Sequence, residues 1–167
     1  MRAVPATLIL VAAFVLPGGA GALSARELQF LEDHYTHALV HAAPARDPES
    51  TRNAREDECS AGEDLTGPGR LVAMALGDNI QKAGTRVDHV VASPRCDAMM
   101  TARLLELVPI DSRDYLAAEP PEGMTAEEQR DEALVYLAGL RPSVTALLVT
   151  HGRNIAALTG VETVPGE

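Results

Sequence analysis

The sequence predicts a three-layer α/β fold, a mainly parallel β-sheet with helices on both faces. Two apolar stretches rich in β-branched residues, 36–41 and 144–150, predict buried strands. A third strand is predicted over residues 87–92, and stretches with helical periodicity separate the three. Strands that alternate with helices along a chain are typical of a parallel sheet that is covered on both sides.

Capping residues mark the starts and ends of the predicted helices. Capping boxes at residues 24–27 and 125–128 predict a short helix over about 25–33 and a longer one after Thr125. Thr66 and Gly84 bound another helix, Ser93 and Pro94 begin the next, and Gly160 ends a last short helix over about 154–158. Leu134, Leu137 and Leu140 form the predicted apolar stripe of the helix that follows Thr125.

Two further segments have less regular patterns. Residues 43–64 contain prolines and many charges without an apolar period, which indicates a long surface loop. Residues 114–117 are predicted to form a short strand, and a proline-rich loop over 119–123 follows.

Residues 1–22 have the layout of a secretory signal peptide. Arg2 precedes an apolar run over residues 3–16, and small residues follow it up to Ala22. The alternative is a membrane anchor, but the apolar run is too short to span a bilayer. We therefore predict cleavage after Ala22, export to the periplasm or the exterior, and a single mature domain over residues 23–167. Residues 161–167 resemble a turn before a further strand, so the sequence is either a fragment or that of a domain whose sheet lacks an edge strand.

Composition excludes several classes of partner. The formal net charge is −10, which argues against nucleic acid and against anionic membrane surfaces once the signal is removed. Aromatic residues make up 3% of the chain, so Ala, Leu and Val must build the core. Cys59 and Cys96 are the two cysteines, and an even number in an exported protein favours one disulfide over two buried thiols.

Two predicted strands end in histidines, His41 and His151, at the edge of the sheet where α/β folds bind ligands. Four segments resemble, in order, the motifs of the histidine phosphatase superfamily, which has the phosphoglycerate-mutase-like fold. They are residues 39–42 (Leu-Val-His-Ala), 65–70 (Leu-Thr-Gly-Pro-Gly-Arg), 92–97 (Ala-Ser-Pro-Arg-Cys-Asp, followed by Thr101-Ala102) and 149–152 (Val-Thr-His-Gly). The resemblance extends over residues 27–160 and implies hydrolysis of a small phosphorylated molecule without a cofactor. It implies that His41 attacks phosphorus and that His151 and two arginines hold the phosphoryl oxygens.

Both arginines of the family pattern are replaced, by Val40 and by Asp97. Phosphoryl transfer needs cations near the equatorial oxygens, and Asp97 supplies an anion instead. Three arginines are candidate substitutes: Arg95, Arg46 and Arg153. The proton donor is not evident, although Glu119 and Glu122 are the nearest carboxylates by chain order.

Three functions follow as alternatives. The first is phosphomonoester hydrolysis through a phosphohistidine, weakened or lost through the missing arginines. The second is a non-catalytic protein that binds a ligand or partner on the same fold. The third is a divalent-metal site built from His41, His151 and Asp97, since two imidazoles and a carboxylate suit zinc or iron.

Overall fold

The computed structural model describes residues 10–11, 37–42, 65–141 and 144–163. Within these ranges, the description of residues 10–11, 37–39 and 41 is limited to the backbone. Within these residues, five parallel strands form one sheet in the order β1-β2-β5-β3-β4. The strands are β1 (Leu10–Val11), β2 (His37–His41), β3 (His89–Ala92), β4 (Ile110–Ser112) and β5 (Ala146–Thr150). The predicted α/β architecture is therefore confirmed.

The described helices connect these strands and lie on both faces of the sheet. They are α1 (Gly67–Lys82), α2 (Cys96–Leu104), α3 (Ala126–Gly139) and α4 (Gly152–Thr159), with a 3₁₀ turn at Asp114–Leu116. All five residues of β5 are buried, as expected for a central strand with neighbours on both sides.

Two apolar clusters fill the space between the sheet and the two helical layers. On one face, Leu76 of α1 and Met99 of α2 pack with Val40, Val90 and Val149 of the strands. On the other face, residues of β3 and β5 pack against α3, α4 and the 3₁₀ turn through Val91, Leu116, Leu137, Leu148 and Ile155. Burial of large aliphatic side chains at about 1.5–3 kcal/mol each stabilises both interfaces.

Three helix caps form where the sequence predicts them, whereas the N-cap of α2 is Arg95, two residues after the predicted start at Ser93. Thr66 Oγ1 accepts the Gly69 N–H at 3.0 Å at the start of α1. Thr125 and Glu128 form the predicted capping box of α3. Gly160 takes the left-handed conformation (φ 75°) that ends α4.

Two predictions about single elements are wrong. The strand predicted over residues 114–117 lies instead at Ile110–Ser112, and residues 114–116 form the 3₁₀ turn. Leu134 is 37% exposed, whereas Gln129 and Ala133 are buried beside Leu137, so the buried face of α3 is rotated from the predicted leucine stripe. Both errors arise from short or weakly apolar patterns, because β4 has three residues and none of them is fully buried.

The amino-terminal predictions fall largely outside the described residues. The predicted helix at 25–33 and the predicted loop at 43–64 are in this group. Leu10–Val11, inside the predicted signal peptide, pairs in parallel with Ala38–Leu39 as β1. Among the described helices, none has the length and apolar character needed to cross a bilayer.

Candidate functional site

The carboxyl ends of β2, β5 and β3 lie side by side and form the floor of the candidate site. His41 is the register partner of Thr150, and the Ala42 N–H donates to the Thr150 carbonyl at 2.8 Å. On the other side of β5, the Ser93 N–H donates to the Val149 carbonyl at 2.9 Å. The two strand ends that carry histidines are therefore adjacent through their backbones, as the sequence predicts. The side chain of His41 lies outside the description.

His151 contacts two polar side chains from the start of α2. Its Nε2 lies 2.9 Å from Ser93 Oγ, within hydrogen-bonding distance. Its Nδ1 lies 3.6 Å from Asp97 Oδ2. Ser93 is fully buried, whereas the side chains of His151 and Asp97 are 12% and 18% exposed. One imidazole thus joins a buried hydroxyl to a carboxylate near the surface.

The connection between β3 and α2 explains why these two side chains face His151. Ser93 follows the last residue of β3, and its Oγ accepts the Arg95 N–H at 3.2 Å. Asp97 lies in the first turn of α2, where its Oδ1 accepts the Ala98 N–H at 2.9 Å. A carboxylate in the first turn of a helix is stabilised by the helix dipole. The second oxygen of the same carboxylate contacts His151.

The direction of the hydrogen bond between Ser93 and His151 depends on the tautomer of the imidazole. An ionised Asp97 carboxylate, 3.6 Å from Nδ1, favours electrostatically a proton on that nitrogen. In that tautomer Nε2 is unprotonated and accepts from the Ser93 hydroxyl, while the Ser93 oxygen accepts from Arg95 N–H. In the other tautomer Nε2–H donates to Ser93 Oγ instead.

A buried polar network supports the site from the side of α4. The Asn154 amide donates to the carbonyls of Leu116 and Ala117 and to Thr150 Oγ1, at 2.8–2.9 Å. Thr150 Oγ1 donates to the Leu116 carbonyl at 2.8 Å, and the Gln129 amide reaches the Ala117 carbonyl at 2.8 Å. This network fixes the end of β5 just before His151 and ties it to the 3₁₀ turn.

Solved structures share this architecture at low sequence identity. Rv3214 from Mycobacterium tuberculosis matches with a TM-score of 0.54 and 19% identity, over 72% of this chain and 75% of that chain. A candidate phosphohistidine phosphatase, SixA, from Nakamurella multipartitia matches with a TM-score of 0.52 and 23% identity, over 72% and 62% of the two chains. The mycobacterial glucosyl-3-phosphoglycerate phosphatase Rv2419c matches with a TM-score of 0.50 and 18% identity, over 73% of this chain and 76% of that chain. No protein-family model and no curated protein matches the sequence.

The chain has the phosphoglycerate-mutase-like fold of these structures. In the sequence resemblance to the histidine phosphatase superfamily, His151 corresponds to the second histidine, and Val40 and Asp97 replace arginines. Val40 is 6% exposed and belongs to the apolar cluster beside α1 and α2. Asp97 contacts the imidazole itself. In the described part of this site, an anion therefore stands next to His151 where the family pattern has a cation.

The three substitute arginines have different placements. Arg95 is half-buried, and its backbone N–H donates to Ser93 Oγ. Arg153 forms an ion pair with Glu119, and the two side chains are 51% and 55% exposed. Arg46 lies outside the described residues. Glu119, one of the two carboxylates considered as proton donor, is thus the partner of Arg153, and Glu122 is exposed.

The metal alternative has two of its three predicted ligands in contact, Asp97 and His151. Within the described part of the chain, no group of three or more His, Cys, Asp or Glu side chains is arranged to hold a metal ion. The third predicted ligand, the side chain of His41, lies outside that search.

Cys96 is the first residue of α2 and is fully buried. Its predicted disulfide partner, Cys59, lies outside the described residues, so the bridge stays a prediction.

A separate groove of about 630 Å³ lies between the 3₁₀ turn and α3. Tyr115 and Tyr136 form part of its wall, with ring centroids 6.1 Å apart. Burial raises the pKa of Tyr115 to about 12. Neither His151 nor Ser93 lines this groove, so it is distinct from the candidate site.

Sequence reasoning missed the roles of Ser93 and Asn154. Ser93 precedes a proline at a helix start, a pattern that predicts capping and gives no sign of a partner 58 residues away. The signal that could have identified Ser93 is its position directly after the predicted strand 87–92, which was expected to lie beside the strand of His151. Asn154 lies in the first turn of α4, three residues after His151. Its closeness to the histidine in the sequence was the signal that could have identified it.

Proposed function

We propose that this chain is a histidine-phosphatase-like protein in which phosphomonoester hydrolysis through a phosphohistidine on His41 is weak or lost. The substrate, where activity remains, is a small phosphorylated molecule. The observation that carries the proposal is the 3.6 Å contact between Asp97 Oδ2 and His151 Nδ1.

Electrostatics supports this reading. Unit charges about 4 Å apart interact by about 4 kcal/mol at an effective dielectric of 20. A phosphoryl group held by His151 would lie beyond the ring from Asp97, so this value is the upper limit of the repulsion, and about 4 kcal/mol in a transition state corresponds to about a thousandfold in rate. Arg153 offsets little of it, because its guanidinium already pairs with Glu119 on an exposed surface.

The test is hydrolysis of p-nitrophenyl phosphate by wild type, Asp97→Arg, Asp97→Asn and His41→Ala proteins. We expect slow turnover by wild type, an increase of at least about tenfold in Asp97→Arg, and a smaller increase in Asp97→Asn. His41→Ala in the Asp97→Arg background should abolish the gain. Asp131→Arg makes the same charge change on the exposed surface of α3 and should leave the rate unchanged.

Val40 is best left in place in these variants. Its side chain lies in the apolar core, so an arginine there would bury a charge and destabilise the fold. Rapid turnover by wild type that His41→Ala destroys would overturn the proposal and indicate that another cation, such as Arg95, serves the site. Activity that requires an added divalent cation and disappears in Asp97→Ala would favour the metal site instead.

Export and a disulfide form part of the same proposal. Residues 1–22 support a secretory signal by their composition, and Leu23 would then be the first residue of the mature chain. Cleavage there would remove the two-residue edge strand β1 and leave the sheet with β2, β5, β3 and β4. An oxidising compartment would allow Cys59 to bridge Cys96 at the start of α2. Sequencing of the mature amino terminus tests the cleavage, because a product that retains Met1 would contradict it.

A further inference from the structure

We propose that Ser93, His151 and Asp97 form a nucleophilic triad that supports acyl transfer from small carboxylic esters, with Ser93 as the nucleophile. This activity is independent of phosphohistidine chemistry and so goes beyond the proposed function. It rests on the order hydroxyl, imidazole, carboxylate and on the two distances, 2.9 Å and 3.6 Å, that link them.

The first link meets the requirement for general-base activation. A serine nucleophile and its base need heavy-atom contact at about 2.6–3.2 Å, and Ser93 Oγ lies 2.9 Å from His151 Nε2. The tautomer that Asp97 favours leaves that nitrogen unprotonated, so it can take the hydroxyl proton. The Arg95 N–H, which donates to Ser93 Oγ at 3.2 Å, orients the oxygen.

The second link makes Asp97 a positioning residue. The contact between its Oδ2 and His151 Nδ1 is 3.6 Å, and such contacts are commonly longer without substrate and shorten when the base becomes charged. The other carboxylate oxygen is fixed by the Ala98 N–H at 2.9 Å, which holds the side chain toward His151.

The backbone around Ser93 suits a nucleophile. Ser93 lies between β3 and α2, at the carboxyl edge of the sheet. Pro94 has no N–H, so donors for the acyl oxygen must come from the first turn of α2, in which the Ala98 N–H already donates to Asp97 Oδ1.

The reaction balances with water as the only co-reactant. Ser93 Oγ forms a bond to the ester carbonyl carbon while its proton moves to His151 Nε2. The bond between that carbon and the alkoxy oxygen then breaks, and the alcohol leaves with the proton from His151. Water, deprotonated by His151, cleaves the acyl-serine, and the serine regains its proton as the carboxylic acid departs.

Burial determines the choice of probe. Ser93 is fully buried, while the side chains of His151 and Asp97 are 12% and 18% exposed, so an electrophile reaches Ser93 Oγ only when the structure opens locally beside His151. We therefore choose a small electrophile, diisopropyl fluorophosphate. Its phosphorus bonds to Ser93 Oγ, the bond to fluorine breaks, and the hydroxyl proton leaves through His151.

The chain offers a clean site assignment by mass spectrometry. Trypsin releases residues 87–95, between Arg86 and Arg95, and Ser93 is the only residue with a hydroxyl group in that peptide. We expect the adduct on this peptide in wild type and in the control Ser112→Ala, and no adduct there in Ser93→Ala or His151→Ala. Absence of the adduct in folded wild type, or labelling that persists in His151→Ala, would overturn the triad.

Two Asp97 variants test positioning against a merely structural role. Asp97→Asn should slow labelling by more than about tenfold because the amide no longer favours Nδ1–H, while Asp97→Glu should recover part of the rate. Equal melting temperatures show that the fold is intact. Labelling of Asp97→Asn at the wild-type rate would contradict the role.

Asp97→Arg separates this proposal from the proposed function. It should lose labelling while its hydrolysis of p-nitrophenyl phosphate rises. If phosphate hydrolysis does not rise but wild type is labelled at Ser93, the phosphatase proposal fails and the triad stands. Labelling of Asp97→Arg at the wild-type rate would contradict the triad whatever the phosphatase result.

Discussion

Among the described helices, the starts of α2 and α3 carry a hydroxyl and a carboxylate and use them differently. At α3, Thr125 Oγ1 accepts the Glu128 N–H at 3.2 Å, and Glu128 Oε2 accepts the Thr125 N–H at 2.8 Å. At α2, Ser93 and Asp97 both contact His151, which follows another strand. The first pair satisfies its own helix, and the second pair is directed at a distant imidazole.

The difference shows how a site can be told from a cap. The α3 capping box is exposed and complete, so its hydrogen bonds stabilise the helix to which they belong. The N-cap of α2 is Arg95, whose side chain makes no capping hydrogen bond. At α2, the polar side chains contact a histidine at the carboxyl edge of a parallel sheet instead of capping the helix. This arrangement indicates a functional role, because α/β folds bind their ligands at that edge.

The largest expected effect concerns Cys96 at the start of α2. A bridge from Cys59 to Cys96 closes a loop of 38 residues, and its loss should lower the free energy of unfolding by about 4 kcal/mol in the chain-entropy model. Denaturant unfolding with and without dithiothreitol measures this loss. Cys59→Ser is the control, since dithiothreitol should not change its stability, and two titratable thiols in the unreduced, denatured wild type would show that no bridge exists.

Removal of the Ser93 hydroxyl should have the next largest effect. Ser93→Ala leaves His151 Nε2 and the Arg95 N–H without this partner in a buried setting, which costs about 2 kcal/mol. Ser112→Ala, in the half-buried edge strand β4, should change stability by less than about 0.5 kcal/mol. Equal stability of the two variants in urea unfolding would mean that the contacts of Ser93 contribute nothing to folding.

The α3 cap should be weaker and purely local. Thr125→Ala should cost about 1 kcal/mol, the usual value for an N-cap, and Thr125→Ser should restore most of it. Neither variant should alter labelling of Ser93 by the fluorophosphate. A change in labelling would show that the starts of α2 and α3 are coupled, and would contradict the view that the α3 cap acts only on its own helix.

The smallest effect is a pH dependence at the same cap. The Thr125 backbone N–H, followed by its hydroxyl, lowers the pKa of Glu128. Because the folded-state pKa is depressed, this contribution to stability is present above the unfolded pKa and is lost as the pH falls through the folded value. In Glu128→Gln, the free energy of unfolding should fall less as the pH is lowered than it does in wild type. Glu127→Gln, in the same turn, should show the same fall as wild type.

Much of the fold follows from local sequence. The β-branched run before His151 and the capping residues Thr66 and Thr125 act within a few residues, so their elements form where predicted. Strand β4 was missed because three half-exposed or exposed residues give no periodic pattern. Its place is set by pairing with β3, which is a tertiary effect.

The site was predictable only in outline. His41 and His151 follow from strand ends, but the partners of His151 depend on the order of strands β5 and β3. The sequence identifies Asp97 as an anion at a phosphate position, and its 3.6 Å contact with His151 Nδ1 is evident only in the structure. The pairing of Arg153 with Glu119 joins the first turn of α4 to the loop before α3 and has no local signature.

The most direct test is the protonation of the His151 ring, because both proposals depend on Asp97 acting on it. Nitrogen-15 NMR of histidine-labelled protein, at a pH where the ring is neutral, distinguishes the two tautomers, and His151→Gln assigns the signal. We expect the proton on Nδ1 in wild type and loss of that preference in Asp97→Asn. A wild-type ring that carries its proton on Nε2 would contradict the arrangement of Ser93, His151 and Asp97.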